Sequence, residues 1–388
     1  MTDSTVALGD VADFVNGVAF GVDDWGDEGR PIIRIQNLND PDKPFNRTLR
    51  QVGERNLARH GDLLVSWAAS LGVYVWQGEE GCINQHIFKV IPRSELIDTA
   101  YLRRSLEASV AKMEAQVHGA TMKHITRDKL LGIRISLPSK AEQRRIAAIL
   151  DKAHELRAKR REAIAKLDQL LQSMFLDMFG DPVSNPNEWP RIAFSELLDR
   201  IESGTSPVCL DRPAKGSEWA VLKLGAVTRC EFDPFANKAL PPTLEPDPSL
   251  EVRVGDLLFS RKNTLDLVGA CAFVSKTKPR LLLPDLIFRL CLKDSAPVRP
   301  QYLQALLTHP GKRKEVQRLA GGSAGSMPNI SKAKLMGVSI ELPPMHIQVR
   351  FEQRLRAIFK VRESFQSSLA VIDSCLASLQ QRAFSGKV

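Results

Sequence analysis

The strongest constraint in this sequence is a long amphipathic segment that occurs twice. Glu142–Gly180 recurs as Ile347–Ser385, at a constant offset of 205 residues. In each copy apolar residues recur every three or four positions, a spacing that places them along one side of an α-helix. Arginine interrupts this row near the middle of both copies, at Arg157 and Arg160 in the first and at Arg362 in the second. The repeated phase and the repeated interruption predict two long helices of one design.

The two helices are expected to pair with each other, because a helix with one apolar side has to bury that side against a partner. The connector Asp181–Glu188 reaches at most about 28 Å when extended, whereas a helix of about 38 residues spans roughly 57 Å. A parallel pair would need a return over that whole length, so the sequence favours an antiparallel coiled coil. Its predicted apolar residues are Ile146, Leu150, Ile164, Leu167, Leu171, Phe351, Leu355, Ile358, Leu369, Ile372 and Leu376.

The regions ahead of the two helices are also repeated. Gly61-Asp-Leu-Leu64 has its counterpart in Gly255-Asp-Leu-Leu258, and Met122–Pro138 aligns without a gap with Met327–Pro343. Short β-prone runs punctuated by glycine and proline dominate both regions. We therefore predict an α+β fold with two mixed α/β domains, an antiparallel coiled coil of the two helices and an internal pseudo-two-fold repeat. The predicted segments are a first domain at 1–137, a first spacer helix at 138–180, a linker at 181–188, a second domain at 189–341 and a second spacer helix at 342–388.

Local patterns add expectations within the first domain. Arg30–Leu38 has an extended pattern, Cys82–Pro92 is a predicted strand, and the periodicity of Thr99–Val117 indicates a helix. Tyr74 and Trp76 alternate in a further predicted strand, so we expect them in the core.

Composition narrows the class of protein. The net charge of +9, from 54 basic and 45 acidic residues, favours an acidic partner, and nucleic acid is the first candidate. Six scattered cysteines form no CxxC pair, which argues against a zinc ribbon and against a disulfide framework. No run of eighteen apolar residues occurs, and the first ten residues lack the pattern of a signal peptide. We therefore expect a cytoplasmic protein with no membrane association.

Sequence motifs of catalysis are missing. An amino-methyltransferase would carry Asp/Asn-Pro-Pro-aromatic, and the nearest match, Asp233-Pro-Phe235, lacks the second proline. No GxxxxGK phosphate loop occurs, and Gly321–Ser326 is interpreted as a loop that reaches a ligand. The acidic pairs Asp23-Asp24 and Asp27-Glu28 lie in a glycine-rich turn rather than in a metal-site pattern. The chain is therefore expected to have no catalytic, cofactor-binding or metal-binding residues.

Three motifs carry a family resemblance. Leu137-Pro-Ser-Lys-Ala-Glu-Gln-Arg-Arg-Ile146, the end of the first helix at Leu167–Phe175, and Leu379–Gly386 resemble the specificity (S) subunit of type I restriction-modification systems. That family is built as target-recognition domain, conserved helix, target-recognition domain, conserved helix, so the resemblance covers the whole chain. The sequence departs from the pattern at Phe351-Glu-Gln-Arg-Leu355, where the first helix has the more typical Arg-Ile-Ala-Ala-Ile.

The resemblance implies a function and a set of partners. It implies a non-catalytic subunit that reads a split, asymmetric sequence in double-stranded DNA, one half per domain. It also implies assembly with two methyltransferase (M) subunits and with endonuclease/translocase (R) subunits. S-adenosylmethionine, ATP and magnesium are then expected on those partner subunits and not on this chain.

Candidate DNA contacts are polar or aromatic residues in loops where the two copies differ. Arginine or lysine donates to guanine, asparagine pairs with adenine, and serine hydroxyls suit phosphate. In the first domain the candidates are Trp67, Ser70, Gln85, His118, Lys123 and His124. In the second domain they are Arg261, Lys262, Asn263, Ser323, Ser326 and Asn329.

Two other functions stay open from the sequence. The chain is alternatively the specificity subunit of a related restriction enzyme whose nuclease and methyltransferase are fused in one partner. A stand-alone DNA-modifying enzyme is the alternative from a different class, and methyl transfer by the purified chain alone would establish it.

Overall fold

The computed structural model describes residues 5–68, 70–116, 127–321 and 327–384. The chain divides into two compact units. The first unit comprises Met1–Glu162 and Phe365–Val388, and the second comprises Ala163–Ser364. Each of the two long helices therefore contributes residues to both units.

The first unit is a mixture of short strands and helices. In chain order its elements are β1 (Thr5–Ala7), α1 (Leu8–Val11), β2 (Ala12–Asn16), β3 (Arg30–Ile33), α2 (Ile35–Asn39), β4 (Arg47–Thr48), β5 (Leu57–Ala58), β6 (Leu63–Ser66), β7 (Gly72–Val75), β8 (Gly81–Ile83), β9 (Ile87–Pro92), α3 (Thr99–Gln116), α4 (Arg127–Leu131), β10 (Arg134–Ser136) and the start of α5 (Lys140–Phe179). Short 3-10 turns lie at Val22–Asp24 and Glu54–Asn56.

Among the described residues, the strands of the first unit form three sheets. One is antiparallel with the order β2-β9-β6-β7, and its partners include Ser66 opposite Ile87. A second has the order β4-β3-β8-β5, with β3 and β8 parallel. The third is the antiparallel pair of β1 and β10. The first of these sheets packs its apolar side on α3, and Phe88, Tyr101 and Leu102 are buried there.

The second unit repeats this order of elements. They are β11 (Arg191–Ala193), α6 (Phe194–Leu197), β12 (Leu198–Ser203), β13 (Ala220–Leu222), β14 (Asn237–Ala239), β15 (Leu257–Ser260), β16 (Cys271–Phe273), β17 (Leu281–Leu282), β18 (Ile287–Leu292), α7 (Pro300–Thr308), α8 (Pro310–Gln317), α9 (Lys332–Met336), β19 (Ser339–Glu341) and α10 (Met345–Phe384). Its 3-10 turns are Leu224–Ala226 and Pro248–Leu250.

The sheets of the second unit have the same connectivity as those of the first. The order β12-β18-β15-β16 corresponds to β2-β9-β6-β7, with Ser260 opposite Ile287. The order β14-β13-β17 corresponds to β4-β3-β8, and an isolated bridge between Glu251 and Leu282 replaces the β5 pairing. The pair β11-β19 corresponds to β1-β10. The repeat seen in the sequence is therefore a repeat of topology.

In the first unit the helical segments pair antiparallel. Arg157 Nε lies 2.6 Å from Asp373 Oδ1, and the Arg160 guanidinium lies 4.4 Å from the centre of the Phe365 ring. Later residues of α5 thus meet earlier residues of α10. Three of the predicted apolar residues of the coiled coil, Ile146, Leu150 and Leu376, are buried in the hydrophobic core of this unit. Ile372 packs against that core.

In the second unit the pairing is antiparallel as well. The Phe351 ring contacts the rings of Phe175 and Phe179, at centroid distances of 6.0 and 5.0 Å. Arg362 Nε lies 3.3 Å from Asp168 Oδ1. Of the predicted apolar residues of the coiled coil, Phe351 and Leu355 are buried in the core of this unit. Leu171 and Ile358 pack against that core. The remaining ones, Ile164, Leu167 and Leu369, are half-buried.

The start of each long helix is tied to its own unit by a buried glutamine. Gln143 accepts a hydrogen bond from Asp98 N at 2.7 Å and donates to the carbonyls of Leu96 and Pro138 at 3.1 and 2.9 Å. Gln348, which follows Gln143 by 205 residues, repeats all three bonds. It accepts from Arg299 N at 2.8 Å and donates to the carbonyls of Pro297 and Pro343 at 3.1 and 2.8 Å.

The predicted fold class is confirmed, because the chain is α+β with two mixed units and two long helices that pair antiparallel. Two local predictions are wrong. Arg30–Leu38 is extended only as far as Ile33 and then turns into the helix α2. Cys82–Pro92 forms two strands in different sheets, because Asn84 leaves the ladder and forms an isolated bridge to Val18. Trp76 is buried as predicted, whereas Tyr74 is half-buried.

The glutamine ties generate a stability prediction. Replacement of Gln348 with alanine leaves one buried N–H and two carbonyl groups without their partner, so we expect the unfolding free energy to fall by about 1–3 kcal/mol. Gln353→Ala is the matched control, because Gln353 is exposed on the same helix and should change stability by less than about 0.5 kcal/mol. Urea unfolding followed by circular dichroism measures both. Equal midpoints for the two variants would contradict the assignment.

Candidate nucleic-acid interface

The first unit presents an aromatic cluster where β6 ends. Trp67 directly follows β6, and its backbone N–H donates to the carbonyl of His86 at 3.2 Å. The indole ring lies 5.5 Å from the His86 ring and 5.8 Å from the Phe88 ring. Phe88 is buried, whereas Trp67 and His86 are half-buried. A rigid aromatic surface with a polar rim results.

Two further candidates lie beside this cluster. Gln85 is exposed on the turn before β9, with Nε2 3.4 Å from His86 Nε2. The carbonyl of Ser70 accepts a hydrogen bond from Ser66 Oγ at 2.6 Å, which closes the loop between β6 and β7. The structure therefore brings Trp67, Ser70 and Gln85 to one end of the sheet. The other predicted contacts of this unit, His118, Lys123 and His124, lie outside the described residues.

The second unit has an arginine where the first has tryptophan. Arg261 directly follows β15, and its N–H donates to the carbonyl of Leu286 at 3.1 Å. Its guanidinium lies 5.1 Å from the centre of the Phe288 ring, and its Nε–H donates to Asn329 Oδ1 at 3.1 Å. Arg261 and Asn329, which are 68 residues apart in the chain, are thus in direct contact.

Lys262 and Asn263 complete this group. Lys262 forms a β-bridge with Asn329. Asn263 is buried, and its backbone N–H donates to the carbonyl of Pro328 at 3.3 Å. Its side-chain Oδ1 accepts from Thr264 N at 2.9 Å, so Asn263 supports the loop. The predicted contacts Ser323 and Ser326 lie outside the described residues.

The two sites occupy the same position in the repeated topology. The backbone bond from Trp67 to His86 corresponds to the bond from Arg261 to Leu286, and the contact of Trp67 with Phe88 corresponds to the contact of Arg261 with Phe288. The backbone geometry is the same in both units while the exposed chemistry differs.

The second site has a local excess of positive charge. Within the described part of the chain, no carboxylate forms an ion pair with Arg261, Lys262, Lys332 or Lys334. Lys332 Nζ lies 5.7 Å from the centre of the Phe288 ring and donates to the carbonyl of Ile201 at 2.6 Å. The acidic residue on the neighbouring turn is Asp285, which accepts a hydrogen bond from the Ser206 hydroxyl. Cations without a carboxylate partner attract an anionic ligand.

A partly buried ion pair lies near the start of each strand that leads to a site, β6 in the first unit and β15 in the second. In the first unit Lys89 Nζ lies 2.6 Å from Asp62 Oδ2. In the second unit Arg289 Nε lies 3.3 Å from Asp256 Oδ2, and Arg289 also has Glu202 Oε2 at 3.3 Å. Burial raises the pKa of the Asp256 carboxyl above its usual value.

The turns that carry these aspartates are alike in both units. Gly61 and Gly255 precede Asp62 and Asp256 and have φ values of +90° and +100°. This is the left-handed region, which favours glycine. The repeated Gly-Asp-Leu-Leu motif therefore encodes a turn, an ion pair and the first residues of a buried strand.

Three residues of the sites were missed from the sequence. The His86 ring meets the Trp67 ring edge-on. Its sequence signal was that His86 and Leu286 differ although both precede the same Ile-Phe pair. Arg127 Nη2 donates to the carbonyl of Phe14 at 3.4 Å, and its counterpart Lys332 makes the corresponding bond in the second unit. The sequence candidates were chosen where the two copies differ. Arg127 and Lys332 were therefore not among them, because both copies have a basic residue at this position.

The described residues contain no group of three or more His, Cys, Asp or Glu side chains that could hold a metal ion. Asp24, from the acidic pairs considered above, accepts a hydrogen bond from Gly21 N and lies 3.1 Å from Arg50 Nη1. None of the helices in the described part of the chain combines the length and the apolar character that crossing a bilayer requires.

Comparison with known proteins shows which family the chain resembles. Residues 3–166 match the model of the type I restriction modification DNA specificity domain. Over 189 residues the chain is 31% identical to the Escherichia coli type I restriction enzyme EcoEI specificity subunit, a match that covers 48% of this chain and 32% of that protein. It is 22% identical to the Methanocaldococcus jannaschii type I restriction enzyme MjaVIII specificity subunit, over 99% of this chain and 92% of that protein. By these matches the chain is similar to the specificity subunits of type I restriction enzymes.

Solved structures share the fold of this chain. The crystal structure of the S subunit of a type I system from M. genitalium superposes with a TM-score of 0.61 at 12% identity, over 99% of both chains. A chain from a structural study of assembly and conformational transition in the type I system superposes with a TM-score of 0.58 at 17% identity, over 100% of this chain and 98% of that one. At this identity the likeness concerns the fold alone.

The ion pairs near the start of β6 and β15 give a prediction that contrasts the two units. Asp62→Ala leaves Lys89 half-buried without its carboxylate, which should cost roughly 2–3 kcal/mol. Asp256→Ala should cost about 1 kcal/mol less, because Arg289 keeps Glu202 as a partner. Hydrogen–deuterium exchange of β9 and β18 during urea unfolding reports each unit separately. A larger loss for Asp256→Ala would show that Glu202 does not substitute for Asp256.

Proposed function

We propose that this chain is the DNA-binding specificity subunit of a type I restriction-modification complex and reads a bipartite, asymmetric site, one half with each unit. The observation that carries the proposal is the pair of equivalent sites with different side chains. Trp67 and His86 occupy the positions of Arg261 and Leu286, on backbones joined by the same hydrogen bond. Two sites of equal geometry and unequal chemistry suit the reading of two unequal sequences.

The two sites suit contacts of different kinds. In the first unit the Trp67 and His86 rings and the exposed Gln85 amide offer apolar contact and hydrogen bonds to base edges. In the second unit Arg261 and Lys262 offer donors to bases and charge to phosphates. The chain's net charge of +9 supports the nonspecific attraction to DNA that precedes reading.

The subunit is proposed to be non-catalytic and to act in the cytoplasm with partners. Two methyltransferase (M) subunits and endonuclease/translocase (R) subunits would supply the chemistry, with S-adenosylmethionine, ATP and magnesium bound by them. The names of the relatives support this role, since each is a specificity subunit of a restriction enzyme. Methyl transfer to DNA by the purified chain alone would overturn it.

The helices offer a surface for a partner. In the second unit a groove of about 590 Å³ is lined by residues of both helices: Leu170, Ser173, Met174, Asp177, Arg354, Ala357 and Ile358. Leu170 is 48% exposed although it is a large apolar residue of a packed helix. We assign this groove to the methyltransferase subunit.

The reading of separate half-sites is tested by selection from a library of random duplexes with the chain in complex with its M subunit. Trp67→Ala and His86→Ala should each relax base preference in one half of the selected site by roughly tenfold, because discrimination by a good contact is worth about 1–3 kcal/mol. Tyr74→Phe is the control, since its hydroxyl bonds Asn39 outside the site. Equal loss of base preference in both halves would contradict the proposal that each unit recognises its own half-site.

Partner docking is tested with Leu170→Glu. A carboxylate at position 170 removes apolar contact area and adds a charge that docking would take out of water, so association with the M subunit should weaken by at least about tenfold. Gln172→Glu adds the same charge to an exposed position of the same helix and should leave association unchanged. Analytical ultracentrifugation of the mixed subunits measures the complex. Full assembly by Leu170→Glu would place the M subunit elsewhere.

A further inference from the structure

Arg261 is held more firmly than a surface arginine usually is. The Phe288 ring lies beneath its guanidinium at 5.1 Å, and Asn329 Oδ1 accepts from its Nε at 3.1 Å. The backbone of Arg261 is fixed as well, because its N–H bonds the carbonyl of Leu286 and its carbonyl accepts from Ile330 N at 2.8 Å. A free arginine side chain loses rotamer freedom when it binds a ligand, and here much of that freedom is already lost.

The part of the guanidinium that remains available is the pair of terminal nitrogens, Nη1 and Nη2, which form a planar fork of donors. Nε is engaged by Asn329, and among the described residues no hydrogen bond or ion pair engages Nη1 or Nη2. Two parallel N–H groups in a fixed plane match the O6 and N7 acceptors of guanine in the major groove, the pairing most often used by arginine. A lysine has one compact ammonium group and lacks this planar geometry.

We propose that Arg261 reads a guanine in the half-site of the second unit and that Asn329 is its positioning residue. The inference rests on the proposed function, since it names one base within the site that the second unit reads. Lys332 lies on the same Phe288 ring and adds positive charge without a carboxylate partner in the described chain. Charge for a phosphate is therefore available beside the fork, which leaves Arg261 for the base.

The first unit does not repeat this device. Trp67 occupies the equivalent position, and an indole has no planar fork of donors. A guanine contact by an arginine fork is consequently specific to the second unit. Loss of the fork should leave the other half-site unchanged, and that half then reports whether a variant is folded and bound.

The experiment is selection from random-sequence duplexes with the full chain, alone and with its M subunit, for the wild type, four variants of the site and one control variant. Arg261→Ala should lower discrimination at one G·C pair by on the order of tenfold to a hundredfold. Arg261→Lys should lose nearly as much, because the charge stays but the fork is removed. Asn329→Ala should weaken preference at the same base pair. The double variant Arg261→Ala/Asn329→Ala should lose no more than Arg261→Ala, as expected for two residues that act through one contact.

Arg229→Ala is the matched control, because Arg229 is an exposed arginine of the same unit outside the site, and it should keep every base preference. Uniform weakening by Arg261→Ala, with all preferences intact, would make Arg261 a phosphate contact and overturn the proposal. Failure of the wild type to select any sequence would instead overturn the proposed function. A bipartite wild-type site that Arg261→Ala reads unchanged would overturn the Arg261 assignment and leave the function standing.

Discussion

Burial of the apolar side of the two long helices is the interaction on which both units depend. In each unit this side faces the other helix and also the core of the domain, so one row of residues serves two contacts. Phe351, for example, packs on Phe175 and Phe179, and the same core includes Tyr302. Full burial of a side chain of this size contributes about 1.5–3 kcal/mol. A helix attached in this way is part of the domain core.

Polar contacts along the helices then determine how they pair. Arg157 bonds Asp373 in the first unit and Arg362 bonds Asp168 in the second. The two arginines and the two aspartates are each 205 residues apart, so the second ion pair is the first with the helices exchanged. Exposed or half-exposed pairs add at most about 1 kcal/mol. Their contribution is therefore to the antiparallel register, while the apolar contacts supply most of the stability.

The sequence predicted what depends on spacing and on repetition. Heptad spacing predicted both helices to within a few residues, and the repeated Gly-Asp-Leu-Leu motif indicated the internal repeat that the topology of the two units shows. What it did not predict depends on contacts distant in the chain. Asn84, which follows β8, forms an isolated bridge with Val18. Asn329 contacts Arg261 only in the folded second unit. No local pattern records either contact.

In both units, the bonds that hold the backbone of the site are separate from the side chains proposed to contact DNA. This explains how one fold accommodates two different sites. The Arg261 and Trp67 backbones are held by hydrogen bonds to the residues that precede the neighbouring strands, and the aspartates at the start of β15 and β6 form ion pairs with Arg289 and Lys89. None of these bonds involves the part of the side chain that reaches outward. Under the proposed function, base preference can therefore differ between the two units while the backbone geometry stays the same.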